Sequence, residues 1–481
     1  MSRPSTETAG AGPAAPADDN RRGEPRLLSG WGLTARSRAT VHRPGSAKEV
    51  AALLADSGPR GAIARGLGRA YGDAAQNAGG AVIDTRGLAA VRDLDLTRGR
   101  ATVEAGVSLD ALISALLPLG WFPDVVPGTR FVTVGGAIAS DIHGKNHHRD
   151  GAFGDHVLEL ELLTPAGERI RCSPDDRPEV FAATTGGMGL TGVVVAATVR
   201  LSRVQTSWMR VDTERTADLD DALARMEARD DQYRYSVAWI DCLARGSQLG
   251  RSVLFRGDHA GLDELPPERR ESPLRAPSPP QLAAPPWVPD GLLRRSTVAA
   301  FNEIYFRRAP RAERGRLESL ERFFFPLDAI RGWNRMYGPR GFLQYQMVVP
   351  FGAEDTLRAA IERLSGARCA SFLAVLKRFG RERGLLSFPM PGWTLALDVP
   401  AGAPGLAPLL DGLDELVAQA GGRVYLSKDS RLRPELVAHM YPRLGEWREI
   451  RAGLDPEGRM HSDLARRLGL VAARPTAEAA A

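Results

Sequence analysis

The stretch RGLGRAYGD (Arg65–Asp73) decides the class of fold. It follows the strand-like GAIARG at 61–66 and looks at first like the glycine turn that opens a dinucleotide-binding helix. Its spacing is G-x-G-x-x-x-G, and no amphipathic helix follows whose N-terminus could hold a pyrophosphate. A second run, GGMGLTG (186–192), has true G-x-G-x-x-G spacing at Gly187, Gly189 and Gly192 but leads into the strand GVVVAATVRL at 192–201. A third, GGAIASDIHGKN (135–146), fails as a P-loop. Ala139 stands where the first glycine belongs, and Asn146 where a hydroxyl should meet Mg²⁺. No G-x-S-x-G elbow occurs, which argues against an α/β-hydrolase.

Around these loops, strands and helices alternate. Ser46 and Glu49 form a capping box before Val50, Leu53 and Leu54. AVIDT (81–85) and RATVEAG (100–106) read as strands. Leu109, Leu112, Ile113, Leu116 and Leu117 share one face of a helix that starts after Ser108. The class is α+β. Beyond residue 204 we expect a helix at about 217–228, the strand RYSVAWIDCL, and nine prolines between 265 and 290 that exclude sheet and helix and make a long loop or lid. FLQYQMVVP (342–350) and WTLALDV (393–399), with a helix at about 354–365 between them, indicate a second unit on an antiparallel sheet. Residues 1–25 and 472–481 are rich in Ala, Pro and Gly and are expected to be disordered.

Composition narrows the function. With 481 residues, 43% hydrophobic and 25% charged, the chain can bury a large core. No apolar run reaches membrane-span length, the N-terminus lacks the apolar core of a secretory signal, and three cysteines have no metal spacing; a soluble protein of a reducing compartment is expected. The net charge of +5 is dispersed and lacks interleaved aromatics, which argues against nucleic acid as a partner. Of 63 basic residues only Lys48, Lys145, Lys377 and Lys428 are lysines. A lysine that survives such a bias tends to sit where a compact, tunable amine is needed, although Lys48 lies on an exposed helical turn.

Tight turns account for any one of the three glycine loops alone. Together they point to a phosphate-bearing cofactor held by backbone N–H groups. His143 and His147 have the i, i+4 spacing of a zinc pair, but the glycines around them and the lack of a nearby Glu argue against a metal.

At this point the strings RGLGRAYGD, PGTRFVTVGGAIASDIHGKNHH, GGMGLTG, GFLQYQMVVP, LSFPMPGW and YLSKDSR carry a resemblance. The chain resembles the actinobacterial decaprenylphosphoryl-β-D-ribose 2′-oxidases, FAD proteins of the vanillyl-alcohol-oxidase (PCMH) type, from about Leu28 to Leu470. The resemblance implies a two-lobed fold. An FAD-binding domain would span 26–204 and be completed by 420–471, with a substrate domain at 205–419. FAD contacts would come from Ala64, Arg65, Gly66, Leu67, Gly68, Arg69, Ala70, Tyr71, Gly72, Asp73 and Ala74. Gly128, Thr133, Val134, Gly135, Gly136, Ser140, Asp141, Ile142, His143, Val194 and Tyr425 would complete the set. Residues 65–73 contain no histidine for covalent attachment, so the flavin is expected to be dissociable.

The family chemistry is hydride transfer from the ribose C2′ to the flavin, giving a 2′-keto sugar for cell-wall arabinan synthesis. By resemblance, Lys428 is the cation near the flavin, with Tyr71 and His143 to orient substrate or relay its proton. Gln346, Lys145 and Lys377 would line the sugar-phosphate pocket, with Trp239, Tyr337 and Trp393 as walls; core packing is the alternative for both tryptophans. An NAD(P)H-dependent short-chain reductase would complete the 2′-epimerisation. The lipid substrate implies peripheral contact with the inner membrane face, with Trp287, Leu292, Leu293, Arg294 and Arg295 near that surface; the periplasmic side stays open. Three positions depart from the family: Ala396 replaces the cysteine of members trapped by nitro-aromatic inhibitors, Thr394 a longer amide, and Val237 a small polar residue. Two other readings stay open, an oxidase of a soluble sugar alcohol or aldonolactone, and a flavin-bound scaffold that turns nothing over.

Overall fold

The computed structural model describes residues 23–471 except 277–281, 286–287, 289–292, 294, 368 and 370. Trp287, Leu292, Arg294 and nearly all of both expected disordered tails therefore lie outside the described residues. The N-terminal boundary is corrected: Glu24–Ser29 is a strand whose first two residues already pair with Val41 and Thr40.

The first half holds two sheets. One runs Glu24–Ser29, Arg36–His42, Ala81–Asp84, Ala62–Arg65, with its last two pairings parallel. The other is antiparallel and centred on the long strand Val193–Arg203. The Ser46 hydroxyl accepts from the Glu49 N–H at the start of helix Ala47–Ala55, while Glu49 reaches back to the Gly45 N–H. A cap of this kind contributes about 1 kcal/mol. Ser108 caps Leu109–Leu116 in the same way. The Gly135–Gly136 pair lies inside the short helix Val134–Ala139 capped by Thr133. A Cβ on Gly135 would come within 2.9 Å of the Ala105 side chain, so glycine lets this helix lie against the neighbouring chain.

The second half is built on an eight-stranded antiparallel sheet. Strand parity decides what each residue does there. Tyr345, Met347 and Val349, with Trp393, Leu395, Leu397 and Val399, face helices Glu354–Gly366 and Leu406–Gln419 and form a core. Each such buried side chain is worth about 1.5–3 kcal/mol. The alternate residues Gln344, Gln346, Thr394, Ala396 and Asp398 lie on the opposite face. Trp393 is therefore no pocket wall: it is fully buried on the helix side, and its Nε1 donates to Glu354 at 2.9 Å.

The proline-rich stretch also needs correcting. It contains one helical turn, Pro267–Arg270, and a two-residue strand, Leu282–Ala283, paired with Ile330–Arg331. Pro267 fits there because the first helical position needs no N–H donor.

The two halves meet at a charge cluster centred on the buried Asp124. Arg234 bridges Asp124 (2.9 Å) and Asp150 (2.6 Å), and Asp124 also pairs with Arg200 (3.1 Å) and His156 (2.9 Å). The C-terminal stretch packs back on the first sheet, where the His461 N–H donates to the Ala62 carbonyl.

Candidate active site

Between the first-half loops and the free face of the large sheet lies a cavity of about 410 Å³. Its loop side gathers Ala64 to Tyr71 and Ala74, with Gly128, Thr133, Gly135, Gly136, Ser140, Ile142 and His143. Val194 and Tyr425 join them, the latter held by a 2.7 Å bond from its hydroxyl to the Ser140 carbonyl. Four residues expected here lie elsewhere. Gly72 packs against the Asp429 carbonyl, where a Cβ would come within 1.9 Å. Asp73 is buried away from the cavity in a forked pair with Arg467. Val134 is in the core, and Asp141 accepts from the Gly154 N–H and the Ser387 hydroxyl.

The glycine wall fits a cofactor with phosphates. A Cβ on Gly66 would collide with the Thr133 hydroxyl at 2.2 Å, so the two loops touch backbone to side chain. A Cβ on Gly128 would meet nothing within 4 Å; the backbone there is open to a ligand. His143 Nδ1 is buried without a hydrogen-bond partner among the described residues.

The sheet side brings the remaining residues together. Trp239 and Val237, Val375 and Lys377, Ala396, and Gln344 and Gln346 project from four neighbouring strands. Lys145 and Lys428 arrive from loops. Three of the four lysines thus share one cavity, and Lys48 is exposed. Tyr337 is corrected: it stacks on Phe342 behind the wall (4.1 Å between centroids) and donates from its hydroxyl to Asp398 at 3.4 Å.

Electrostatics follow from burial. Burial pushes Lys377 down to about 8, and burial with the charge of Lys377 pushes Lys145 to about 7. Burial and Lys377 also lower Lys428, opposed by the carboxylate of Asp398. His143 is held neutral, well below its usual range, by burial and by the charge of Lys377. Its Nε2 lies 2.9 Å from the Gln346 amide nitrogen, and Phe379 packs on its ring. The Tyr71 phenol is raised well above its usual value by burial and Asp398, so it stays protonated.

The sequence reading missed Gln344 and Asp398. Gln344 lies on the same strand face as Gln346, and Asp398 stands directly opposite it in register, so period-two parity was the available signal. Trp31 and Trp333, in edge contact at 5.9 Å, also line the cavity, and Arg69 lies over the Trp31 ring at 3.8 Å. No local pattern pointed to these two tryptophans.

Comparison with known proteins agrees with this geometry. The family model described as an FAD binding domain matches residues 39–173. A decaprenylphosphoryl-β-D-ribose oxidase from Mycolicibacterium smegmatis is 42% identical over 452 residues, 93% of this chain and 98% of its own. An uncharacterized protein from the mprA 5′ region of Streptomyces coelicolor is 45% identical over 76% of this chain and all of its own. Cytokinin dehydrogenase 8 of Oryza sativa shares 31% identity over 35% of this chain and 36% of its own. Aligned over nearly the whole of both chains with the mycobacterial oxidase, this chain belongs to the decaprenylphosphoryl-β-D-ribose oxidase family of FAD-binding proteins.

Proposed function

We propose that this protein oxidises the ribose 2′-hydroxyl of a polyprenylphosphoryl-β-D-ribose to the 2′-ketone, with FAD as the non-covalent acceptor. The observation that carries the reading is that one cavity joins a glycine wall on one side to three half-buried lysines on the other. Bound FAD supplies the hydride acceptor; the chain supplies everything else. Gly66, Gly68, Gly135 and Gly136 offer backbone close to the cofactor's phosphates. Lys145 and Lys377 take the substrate phosphate, because a buried amine regains its proton when an anion arrives beside it. Lys428 and Tyr71 hold the reacting hydroxyl, and Trp239 closes the pocket. Residues 26–204 and 420–471 form the cofactor lobe in this reading, and 205–419 the substrate lobe.

The lipid tail needs an apolar way out. Trp239 lies 4.7 Å from Tyr305, which stacks on Phe301 at 5.8 Å. Phe301 and Ile304 are exposed on the helix Arg295–Arg308, beside Arg307 and Arg308. An aromatic path ending in an apolar and basic surface suits the tail and an anionic membrane face. No helix among the described residues is long and apolar enough to cross a membrane, and contact from one side is consistent with that. The ketone product requires a second enzyme, an NAD(P)H-dependent reductase, to complete an epimerisation.

The test is an anaerobic visible spectrum before and after adding a prenylphosphoryl ribose. Flavin bands that bleach with it, and not with the arabinose 2′-epimer or free ribose, support the reading. Bands that bleach only with a soluble polyol or lactone, or with none of these, overturn it.

A further inference from the structure

Behind the cavity wall lies a buried carboxylate. Asp398 is 1% exposed and does not line the cavity, yet Gln344 from the cavity wall and Tyr337 from behind it both donate to it. Gln344, its cross-strand partner, donates from Nε2 to Asp398 Oδ1 at 2.5 Å. The same nitrogen lies 3.1 Å from the Tyr71 hydroxyl. Tyr337 donates to the other carboxylate oxygen.

The direction of these bonds is fixed by chemistry. Burial pushes the Asp398 carboxyl well above its usual range, opposed by the Gln344 bond and by the charge of Lys428. In the ionised form that the Lys428 ammonium favours it only accepts, so Gln344 turns its NH₂ toward it. The second hydrogen of that NH₂ then points to Tyr71, whose oxygen accepts it. The phenolic proton is thereby left without an acceptor among the described residues, on a side chain that lines the cavity. If the amide were reversed, Tyr71 would donate to Gln344 and have nothing to offer a ligand.

Asp398 acts on Lys428 as well. Its charge favours the ammonium form against burial and against the charge of Lys377. The titratable and charged groups around this pair are Lys377, His143, Tyr71 and Tyr337, with Arg69 and Asp328 beyond Tyr71. Lys428 Nζ sits 3.9 Å from the Tyr71 ring centroid, so the donor and the cation are adjacent.

We propose that Asp398 is a positioning residue: through the Gln344 amide it frees the Tyr71 hydroxyl to donate to the reacting oxygen, and with its charge it keeps Lys428 an ammonium beside that oxygen. The proposal rests on the oxidase reading for the identity of the reacting oxygen, but its electrostatic part can be measured without substrate.

With only four lysines, each amine can be titrated in the flavin-bound protein by competitive acetylation with acetic anhydride, read by peptide mass spectrometry. Asp398→Asn keeps the shape and removes the charge. We expect Lys428 to begin acetylating about one pH unit or more lower in Asp398→Asn than in the wild type, with Lys48 unmoved. Asp398→Glu restores the wild-type profile. The pH profile of kcat/KM with a prenylphosphoryl ribose moves in the same direction. An unchanged Lys428 profile in a variant that keeps its flavin and its melting temperature overturns the proposal. So does a loss of activity equal at every pH, which marks a structural role. If neither protein's flavin is reduced by the glycolipid while the acetylation shift is present, the oxidase reading fails and the electrostatic role of Asp398 stands.

Discussion

Lys428 holds its ammonium nitrogen 3.9 Å from the centre of the Tyr71 ring, although the two residues lie at opposite ends of the chain. Backbone contacts hold this pairing: the Tyr71 N–H donates to the Ser427 carbonyl at 3.0 Å, and a Cβ on Gly72 would strike the Asp429 carbonyl. The first glycine loop and the KDSR turn are thus fastened side by side. The face of the ring attracts the cation while its hydroxyl remains available, so one contact orders both groups.

Replacing Lys428 tests the charge directly. Lys428→Met keeps the length and apolar stem but leaves no cation where negative charge develops. We expect kcat to fall by roughly 10²–10³ while flavin content holds. Steady-state rates alongside the flavin absorbance per mole of protein decide it; a variant that loses its flavin instead would make Lys428 a cofactor anchor.

Lys377 gives the substrate affinity a pH dependence. Burial lowers its pKa to about 8, so its charge is present below that value and lost as pH rises through it. The free enzyme should bind a phosphorylated substrate less well on the alkaline side, seen as a falling limb in kcat/KM. Lys377→Gln should lower kcat/KM at neutral pH and flatten that limb. A limb that persists in the variant would belong to another group.

Much of this architecture was legible from local pattern, and the limits were physical. The strand FLQYQMVVP matches residue for residue because its ends are set by Gly341 before it and the Phe351–Gly352 turn after it. Side assignment was the weak point. Trp393 and Trp239 look alike in sequence, and only the pairing register puts one under a helix and the other against the cavity. Tyr337 and Asp398 are linked by a contact across 61 residues that no local periodicity encodes. Lysine scarcity needs no geometry to read, and three of the four lysines line the cavity.

The charge cluster between the halves carries a stability prediction. Burial raises the Asp124 carboxyl, but hydrogen bonds from His156 and Ser202, with the charges of His156 and Arg234, outweigh it and leave it well below the usual range. A carboxylate lowered in this way stabilises the fold above about pH 4, its unfolded value, and loses that contribution as pH falls toward its folded value. Asp124→Asn leaves the partly buried Arg234 and the half-exposed Arg200 facing a neutral amide, at a cost of about 1–3 kcal/mol once solvent screening is counted. Urea unfolding of the flavin-saturated protein at neutral and acid pH measures this; the gap between the variant and the wild type should narrow in acid.

Ala396 sets the outcome with nitro-aromatic inhibitors. It lines the cavity opposite Gln346, where covalently trapped family members carry a cysteine. The chain's own cysteines offer no substitute. Cys172, Cys242 and Cys369 are all buried and absent from the cavity wall, and burial raises each thiol, to about 12 for Cys172 and Cys369. The thiolate is the attacking form, so none can react at neutral pH. Incubating the enzyme with such a compound during turnover should therefore leave the intact mass unchanged, with inhibition reversed by dialysis. Ala396→Cys should gain one inhibitor mass and lose that reversibility. An adduct on the wild-type protein would show that a nucleophile other than cysteine at this position captures the inhibitor.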